Sequence, residues 1–285
     1  TKLFIQSEYA IKDALSVVYG DAEVGSALIK SDIPRVISFT GSVPVGNIIT
    51  KNAGIKKLSL ELGGNAATFI EKSADLQLAA SRCALGAFIN SGQVCISLQR
   101  IYVDDEIYDE FADLMAKESK KLRVGSPYDE DTFMGPLIDD DAVLRAKNWI
   151  SSAIDEGAIA LLEPKIEGRI FYPCVMGEVR DDMAIICEEV FAPIVSLVRV
   201  DGFEDAKKRM NDSPYGLQFS VFTNDLKITQ KAIDELEAGG VVINDMPTLR
   251  FDIQPYGGVK LSGDGREGPR FTIEEMTEIK SVVIC

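Results

Sequence analysis

The sequence predicts an α/β fold built on parallel sheets, and two observations support that prediction. Short apolar runs typical of buried strands alternate with helical patterns over the first sixty residues. The same alternation returns between residues 195 and 243. Strands that alternate with helices in this way form parallel βαβ units with right-handed crossovers on a doubly wound sheet.

The first unit is predicted from three apolar runs and two helical patterns. Residues 15–19, 35–39 and 58–62 are expected to be buried strands, and residues 22–30 and 44–52 are expected to be helices. Three strands are too few for a self-sufficient doubly wound sheet. The chain is therefore expected to begin inside a domain whose upstream part is absent.

Later elements follow from apolar periodicity. Helices are predicted where apolar residues recur every three to four positions, and strands where short apolar runs lie between turn signals. The predicted helices are residues 75–90, 107–121, 140–156, 203–211 and 226–237. The predicted strands are residues 101–103, 195–198, 219–222 and 240–243, with an edge strand over 277–284. A loop is predicted at 125–128, and the glycine-rich stretch 255–268 is expected to be a loop, mobile over 257–268.

Length and charge exclude several classes of protein. The 285 residues are 46% hydrophobic, which is enough for two domains or one large one, and the net charge is −15. A strongly acidic chain repels nucleic-acid phosphates and anionic lipids, so we expect neither as a partner. No apolar run reaches bilayer length, and the first ten residues lack the apolar core of a secretory signal. A cytoplasmic location is expected.

The five cysteines and the absence of histidine restrict the chemistry. The cysteines are widely spaced, without a CxxC pair, so we predict neither a disulfide framework nor a metal site. Without histidine, Ser-His and Cys-His dyads are impossible, and acid–base work falls to carboxylates, lysines, tyrosines or thiols.

Three local patterns suggest chemistry, and each also has an ordinary interpretation. Phe39-Thr-Gly-Ser42 joins a predicted strand to a helix and could hold a pyrophosphate, or could be an ordinary turn. Glu61 closes a strand before two glycines and could be a catalytic base or a solvated residue. Cys95 follows a Ser-Gly-Gln helix break and could be a nucleophile or a buried apolar filler.

Taken together, five motifs resemble those of the aldehyde dehydrogenase superfamily, in that family's order. They are FTGS at 39–42, LELGGNA at 60–66, FINSGQVC at 88–95, CEEVFAP at 187–193 and PYGGVKLSGDGREGP at 255–269. The resemblance implies an aldehyde dehydrogenase-like α/β fold in three parts. Residues 1–62 would be the end of a partial Rossmann-type dinucleotide-binding domain, 63–265 an α/β catalytic domain, and 266–285 a return helix and oligomerisation strand.

The resemblance also implies the chemistry. Cys95 would be the nucleophile that adds to an aldehyde, with its own backbone N–H helping to stabilise the oxyanion. Hydride transfer to NAD or NADP would leave a thioester, which water activated by Glu61 would hydrolyse.

The same resemblance implies the residues around the reacting groups. The implied cofactor-binding residues are Gly25, Thr40, Gly41, Ser42, Leu62, Glu189 and Phe191. The implied pocket for the aldehyde is formed by Val94, Ile96 and Tyr256.

Several alternatives stay open at this point. The segments 243–250 and 274–280 look like a branch acting on small hydroxyaldehydes such as lactaldehyde. Val94 stands where some relatives that handle charged aldehydes have arginine, which favours a neutral substrate, although Arg250 could contact an anion. The competing functions are a CoA-dependent acylating dehydrogenase, a thioesterase-like enzyme, and a truncated non-catalytic paralogue. A homodimer or homotetramer through the C-terminal strand is expected, and so is poor cofactor binding by this chain alone.

Overall fold

A three-stranded sheet carries the first part of the chain in this computed structural model, which describes residue 4, residues 6–11 and residues 13–285. Its strands are β1 (Val36–Thr40) and β2 (Lys57–Glu61), which are parallel, and β14 (Gly263–Asp264), which is antiparallel to β2. Helices α1 (Ala22–Lys30) and α2 (Val43–Asn52) precede and join the two parallel strands. The predicted strand–helix alternation is confirmed here to within one residue at each strand end.

The strand predicted at residues 15–19 is wrong. These residues have no regular secondary structure, and Val18 and Tyr19 are 66% and 92% exposed. The sheet order β1-β2-β14 places no strand on the free edge of β1 within the described part of the chain. An apolar run forms a strand only when a neighbour satisfies its backbone hydrogen bonds, and this run has none among those residues.

A seven-stranded sheet forms the centre of the molecule, in the order β12-β11-β3-β4-β9-β8-β5. Its strands are parallel except β5, which runs antiparallel to β8. The bounds are β3 Ala66–Ile70, β4 Leu98–Asp104, β5 Ile159–Leu162, β8 Cys174–Gly177, β9 Ile194–Val200, β11 Gln218–Phe222 and β12 Gly240–Ile243. A separate hairpin pairs β6 (Ile166–Glu167) with β7 (Ile170–Phe171).

The central strand β3 and the strands β5 to β8 are not predicted from the sequence. All five residues of β3 are buried, and the strand begins with two alanines directly after the Gly-Gly turn. Small residues carry little strand propensity, so the run was not recognised as a strand. Its burial comes from β11 and β4 on either side, which the local sequence does not show.

Helices cover both faces of the large sheet. On one face, α3 (Leu76–Phe88) and α4 (Tyr108–Lys120) pack over side chains such as Ile70 and Ile101. The opposite face, which includes Phe69 and Tyr102, packs against α5 (Asp140–Asp155), α7 (Gly202–Asn211) and α8 (Leu226–Glu235). A short helix, α6 (Ala184–Cys187), lies before β9. Adjacent residues in a strand point to opposite faces, so each strand feeds two apolar layers. The doubly wound α/β prediction is confirmed.

The glycine-rich stretch is more structured than predicted. Within it, β13 (Val259–Lys260) pairs with β10 (Tyr215–Gly216), and β14 pairs with β2. The predicted loop thus contributes one strand to the three-stranded sheet and one to a separate two-stranded sheet.

The end of the chain differs from its prediction. Helix α9 (Pro269–Glu275) matches the predicted return helix. No strand forms over 277–284 in the described structure, and Ile279 and Ile284 are almost fully exposed. The stretch has no partner strand within this chain, and its pairing across a subunit interface stays a prediction.

Within the described residues, no helix is both long enough and apolar enough to cross a membrane.

Candidate active site

Cys95 follows an unusual left-handed turn. Asn90, Ser91 and Gly92 have φ angles of 49°, 57° and 71°, a region in which non-glycine residues cost about 1–3 kcal/mol each. Hydrogen bonds hold the turn: Ser91 Oγ donates to the carbonyl of Gly135 at 2.8 Å, and Asn90 Nδ2 donates to that of Gln93 at 3.1 Å. The turn ends α3 and directs the chain toward β4, with Cys95 between them.

A small apolar cluster surrounds the thiol. Ile96, Leu217 and Tyr256 are buried together, and Val94 and Cys95 pack against them. The structure thus brings together the three predicted pocket residues. Leu217 was missed, because it lies on the turn before β11 and no local pattern marks it.

The environment of Cys95 favours the neutral thiol. Burial is the largest influence and raises its pKa, and the carboxylates of Glu61 and Glu189 raise it further. Tyr256 acts in the opposite direction, with its hydroxyl 3.4 Å from Sγ. Because the thiolate is the nucleophile, a nearby base has to remove the proton before Cys95 can react.

Glu61 is the last residue of β2 and has the properties of such a base. Its side chain is 6% exposed, and burial, helped by Glu267, raises its pKa from 4.5 to about 7. Arg250 and Arg266 act against this shift. Among the described residues, no group donates a hydrogen bond to Glu61 Oε2. A carboxylate with a pKa near 7 and a free oxygen can accept a proton at physiological pH.

Two consecutive residues connect the thiol and the carboxylate. The Tyr256 hydroxyl lies beside Cys95 Sγ, and a Cβ placed on Gly257 would be 3.1 Å from Glu61 Oε1. Glu61 ends β2 of the three-stranded sheet and Cys95 lies in the turn before β4 of the seven-stranded sheet, yet both lie beside this pair of residues.

Contacts with Arg250, Arg266 and Glu267 fix the loop that carries these two residues. The backbones of Tyr256 and Glu267 exchange two hydrogen bonds, of 3.1 and 2.6 Å. Arg266 Nη1 donates to the carbonyl of Gly258 at 3.0 Å. Arg250 stacks on the Tyr256 ring at 4.1 Å and pairs with Glu267 at 2.7 Å. Arg266 and Glu267 lie in one of the five family motifs, but the sequence alone predicts no function for either residue.

The predicted pyrophosphate-binding turn lies next to the candidate base. Thr40 is the register partner of Glu61, and the Gly41 N–H donates to the Glu61 carbonyl at 3.0 Å. Ser42 is the N-cap of the ten-residue helix α2, and its hydroxyl caps no helix N–H within the described structure. A helix N-terminus with a free hydroxyl is a favourable place for a phosphate group.

Leu62 and Gly25 flank this turn. The Leu62 N–H donates to the carbonyl of Ser262 at 2.9 Å, and its side chain lies against Gly46 of α2. Gly25 is the fourth residue of α1, and a Cβ placed there would contact none of the described atoms within 4 Å. Open space at Gly25 leaves this face of α1 accessible.

Glu189 and Phe191 lie on the other side of the Gly-Gly turn. Glu189 Oε1 accepts a hydrogen bond from the Gly64 N–H at 2.9 Å, and burial raises the pKa of this carboxyl. Phe191 has a φ of 48° and is 38% exposed, so its ring lies partly open at the surface. The predicted cofactor residues therefore lie on both sides of the thiol and the base.

Alanine at Gly64 is expected to reduce kcat by at least about 100-fold, because a shift of about 1 Å in a reacting group has an effect of that size. A Cβ at Gly64 would overlap the backbone carbonyl of Cys95 and displace the candidate nucleophile. Steady-state kinetics would measure the effect. Gly63→Ala is the control for kcat, because its Cβ would be 2.5 Å from Glu189 Oε2, and moving this predicted cofactor-binding carboxylate should change KM for the cofactor rather than kcat. An equal loss of kcat in both variants would contradict this explanation.

A half-buried thiol and a buried carboxylate thus face one loop of this α/β chain. The chain belongs to the aldehyde dehydrogenase family, whose sequence model matches residues 10–282. The family resemblance of the five motifs is confirmed.

Three similar proteins illustrate the match. The chain is 44% identical to a 3-sulfolactaldehyde dehydrogenase of Priestia megaterium, over 96% of this chain and 57% of that protein. It is 42% identical to a lactaldehyde dehydrogenase of Methanococcus aeolicus, over 92% and 56%. A crystal structure of glyceraldehyde-3-phosphate dehydrogenase from Methanocaldococcus jannaschii, complexed with NADP, superposes with a TM-score of 0.89 at 42% identity, over 93% and 58%. The chain thus spans a little under three-fifths of the length of these relatives.

Proposed function

We propose that this chain carries the nucleophile and base of an enzyme that oxidises a small aldehyde to its carboxylic acid with NAD or NADP. One observation carries the proposal: the Cys95 thiol and the Glu61 carboxylate meet at Tyr256–Gly257. The family membership and the names of the relatives agree with it.

Cys95 performs the first step. Its thiol, after losing the proton, adds to the aldehyde carbonyl carbon, and the carbonyl oxygen becomes an oxyanion next to the backbone N–H of Cys95. Glu61, with a pKa of about 7, is the base available to take the thiol proton. The Tyr256 hydroxyl lies within 3.4 Å of Sγ and holds the sulfur in place for attack.

The residues around the site fit a dinucleotide. Ser42 and the N-terminus of α2 would hold the pyrophosphate, Glu189 would bind a ribose, and Phe191 would pack beside it. When bound, the nicotinamide ring would accept hydride from the adduct carbon. Nothing in these residues distinguishes NAD from NADP, and both are proposed.

Glu61 performs the last step. Hydride loss leaves an acyl group on the Cys95 sulfur as a thioester, and water must attack it. The buried carboxylate, with Oε2 unbonded among the described residues, can accept a proton from that water. This role favours hydrolysis over transfer to CoA, which needs no hydrolytic base. It also distinguishes the proposal from a non-catalytic paralogue, which would need neither group.

Reduced-nicotinamide absorbance tests the proposal directly. The protein is incubated with NAD or NADP and a panel of small aldehydes, with and without CoA. Acid formed with stoichiometric cofactor reduction, independent of CoA, is the expected result. Acyl-CoA as the product would support the acylating alternative, and thioester hydrolysis without cofactor would support the thioesterase one. Cofactor binding without any turnover would support the alternative of a truncated, non-catalytic paralogue.

The substrate proposed first is a small neutral hydroxyaldehyde. A cavity of about 250 Å³ is lined by residues that include Leu249, and it shares Leu217 and Tyr256 with the apolar cluster around the thiol, although Cys95 itself does not line it. Val94 next to the nucleophile provides no positive charge. The relative named lactaldehyde dehydrogenase agrees with this choice.

Arg250 supports a second candidate, an aldehyde with a distant anionic group. Its guanidinium lines the cavity and lies one aromatic ring away from the thiol, and the relative named 3-sulfolactaldehyde dehydrogenase agrees with this alternative. Glu267 already neutralises Arg250, so an anionic substrate would have to compete with it.

Arg250→Met decides between the two substrates. If the substrate is anionic, KM for sulfolactaldehyde should rise about 10- to 100-fold, the value of a charge-assisted hydrogen bond, while KM for lactaldehyde stays the same. Arg250→Lys keeps the positive charge but loses the planar guanidinium, so its KM for sulfolactaldehyde should lie between those of wild type and Arg250→Met. Unchanged KM for both substrates would establish the neutral one.

A further inference from the structure

Two buried glutamines lie near the amino ends of two strands of the large sheet. Each forms hydrogen bonds with a different loop of the candidate site. Gln99 is the second residue of β4 and Gln218 is the first residue of β11, the strands on either side of β3. Each side chain is 6% exposed. Because these strands are parallel, their amino ends lie together, next to the Gly-Gly turn that precedes β3.

Gln99 binds the loop that carries Glu189. Its Nε2 donates to the carbonyls of Glu188, at 2.6 Å, and Ile185, at 3.2 Å. Its Oε1 accepts from the Val190 N–H at 3.0 Å. One amide therefore pairs with the backbone on both sides of Glu189, as a neighbouring strand would. With Glu188 and Val190 held, the Glu189 carboxylate is directed toward the Gly64 N–H.

Gln218 binds the loop that carries Arg250. Its Nε2 donates to the carbonyl of Leu249 at 2.9 Å, and its side chain lines the 250 Å³ cavity. Leu249 directly precedes Arg250, whose guanidinium stacks on Tyr256. The position of Leu249 therefore influences the wall of the aldehyde cavity.

Only an amide provides the contacts that Gln99 makes. A buried site beside two carbonyls and one N–H requires both donors and an acceptor in a single neutral group. A carboxylate would face the two carbonyls. An apolar side chain would remove the bonds to the Ile185 carbonyl and the Val190 N–H, and would leave the Glu188 carbonyl with only the longer bond from Asn65 Nδ2 at 3.4 Å.

We propose that Gln99 and Gln218 are positioning residues with separate tasks: Gln99 sets the cofactor side of the site through Glu189, and Gln218 sets the aldehyde side through Leu249–Arg250. The assignment of these two sides rests on the proposed function. The separation of the two loops rests on the hydrogen bonds alone.

Gln99→Met and Gln218→Met form a matched pair. Both replace a buried glutamine near the amino end of a strand of the large sheet by methionine, and the two glutamines are equally exposed. Hydrogen–deuterium exchange of the whole chain is followed in segments 185–191 and 247–251. Gln99→Met should speed exchange in 185–191 by at least about tenfold and leave 247–251 within about twofold, and Gln218→Met should do the reverse. Equal loosening of both segments in either variant, or of neither, would overturn the proposal.

Gln99→Glu is a control that distinguishes loss of these hydrogen bonds from a general loss of structure. A protonated carboxyl again offers a donor and an acceptor, whereas the ionised form repels the two carbonyls. In Gln99→Glu, the protection of residues 185–191 against hydrogen–deuterium exchange, measured relative to wild type at the same pH, should recover as the pH falls. A defect that does not change with pH would contradict the paired donor–acceptor role.

Kinetics then test the assignment of sides. Gln99→Met should raise KM and the dissociation constant of the cofactor about tenfold with KM for aldehyde unchanged, and Gln218→Met should show the opposite split. If wild type neither binds cofactor nor turns over at cofactor concentrations high enough to offset the weak binding expected of this chain alone, the proposed function fails, while the exchange results still decide the positioning. If wild type is active and both variants change both constants equally, the positioning fails alone.

Discussion

Cys95→Ser is expected to lower aldehyde oxidation by at least about a thousandfold, because a hydroxyl is far less acidic and less nucleophilic than a thiol. The fold should be unaffected, since the two side chains differ little in size and the left-handed turn before Cys95 is held by Ser91 and Asn90. Turnover followed by reduced-nicotinamide absorbance, beside the thermal unfolding midpoint, would separate the two effects.

A matched control is available at Cys187. This thiol is exposed and donates to the carbonyl of Asp181 at 2.8 Å, a bond that a serine hydroxyl can also make. Cys187→Ser should therefore retain activity within about twofold. Retained oxidation in Cys95→Ser, or loss in both variants, would refute the role of Cys95.

Glu61→Gln is expected to stop the reaction after the first half. Removing a general base typically costs about 10²- to 10⁴-fold, and hydrolysis of the thioester should lose more than formation of the adduct, for which solvent can also take the thiol proton. One equivalent of cofactor should be reduced, more slowly than in wild type, and the acyl group should then remain on Cys95. Intact-protein mass measured after mixing would detect it. A variant that turns over normally, or one that accumulates no acyl group and still makes acid, would exclude Glu61 as the hydrolytic base.

The raised pKa of Glu61 also predicts how activity depends on pH. The base must be ionised to act, so the wild-type rate should rise with pH through about 7. Glu188→Gln, at an exposed position of the neighbouring motif, should leave this profile unchanged.

Stability should change with pH in the opposite direction. The Glu61 carboxyl binds its proton more tightly in the folded protein, with a pKa of about 7, than in the unfolded chain, with one near 4.5. Its contribution is fully present below pH 4.5 and is lost as the pH rises through 7, a change of about 3 kcal/mol. Glu61→Gln removes this dependence and should be more stable than wild type at pH 8. Urea unfolding at pH 5 and pH 8 would measure it, and equal stability of both proteins at both values would contradict the burial argument.

Much of the fold was predictable because periodicity and turn residues are local properties. The helices beginning near residues 22, 44, 108 and 140 appear within one or two residues of their predicted positions. The exposed run at residues 15–19 and the missed strand β3 show the limit of such reasoning. Whether an apolar or alanine-rich run becomes a strand depends on the neighbours it meets in space, and a single sequence does not contain that information.

The candidate site divides in the same way. Glu61, Cys95 and Tyr256 could be named because they stand in motifs, and the structure places them around one pocket. The bonds of Gln99 could not be predicted, because its partners are backbone groups about ninety positions along the chain. The catalytic and binding roles of Glu61, Cys95 and Tyr256 stay predictions until the variants are measured.

The contact between Tyr256 and Cys95 has a consequence for the growing chain. The two residues are 161 positions apart, so the thiol leaves the ribosome long before the tyrosine that completes its pocket is made. At about 5–20 residues per second, roughly eight to thirty seconds separate the two events. Throughout that interval neither Cys95 nor Glu61 has its closing loop. Oxidation of Cys95 during that interval would therefore meet no protection from the Tyr256 loop.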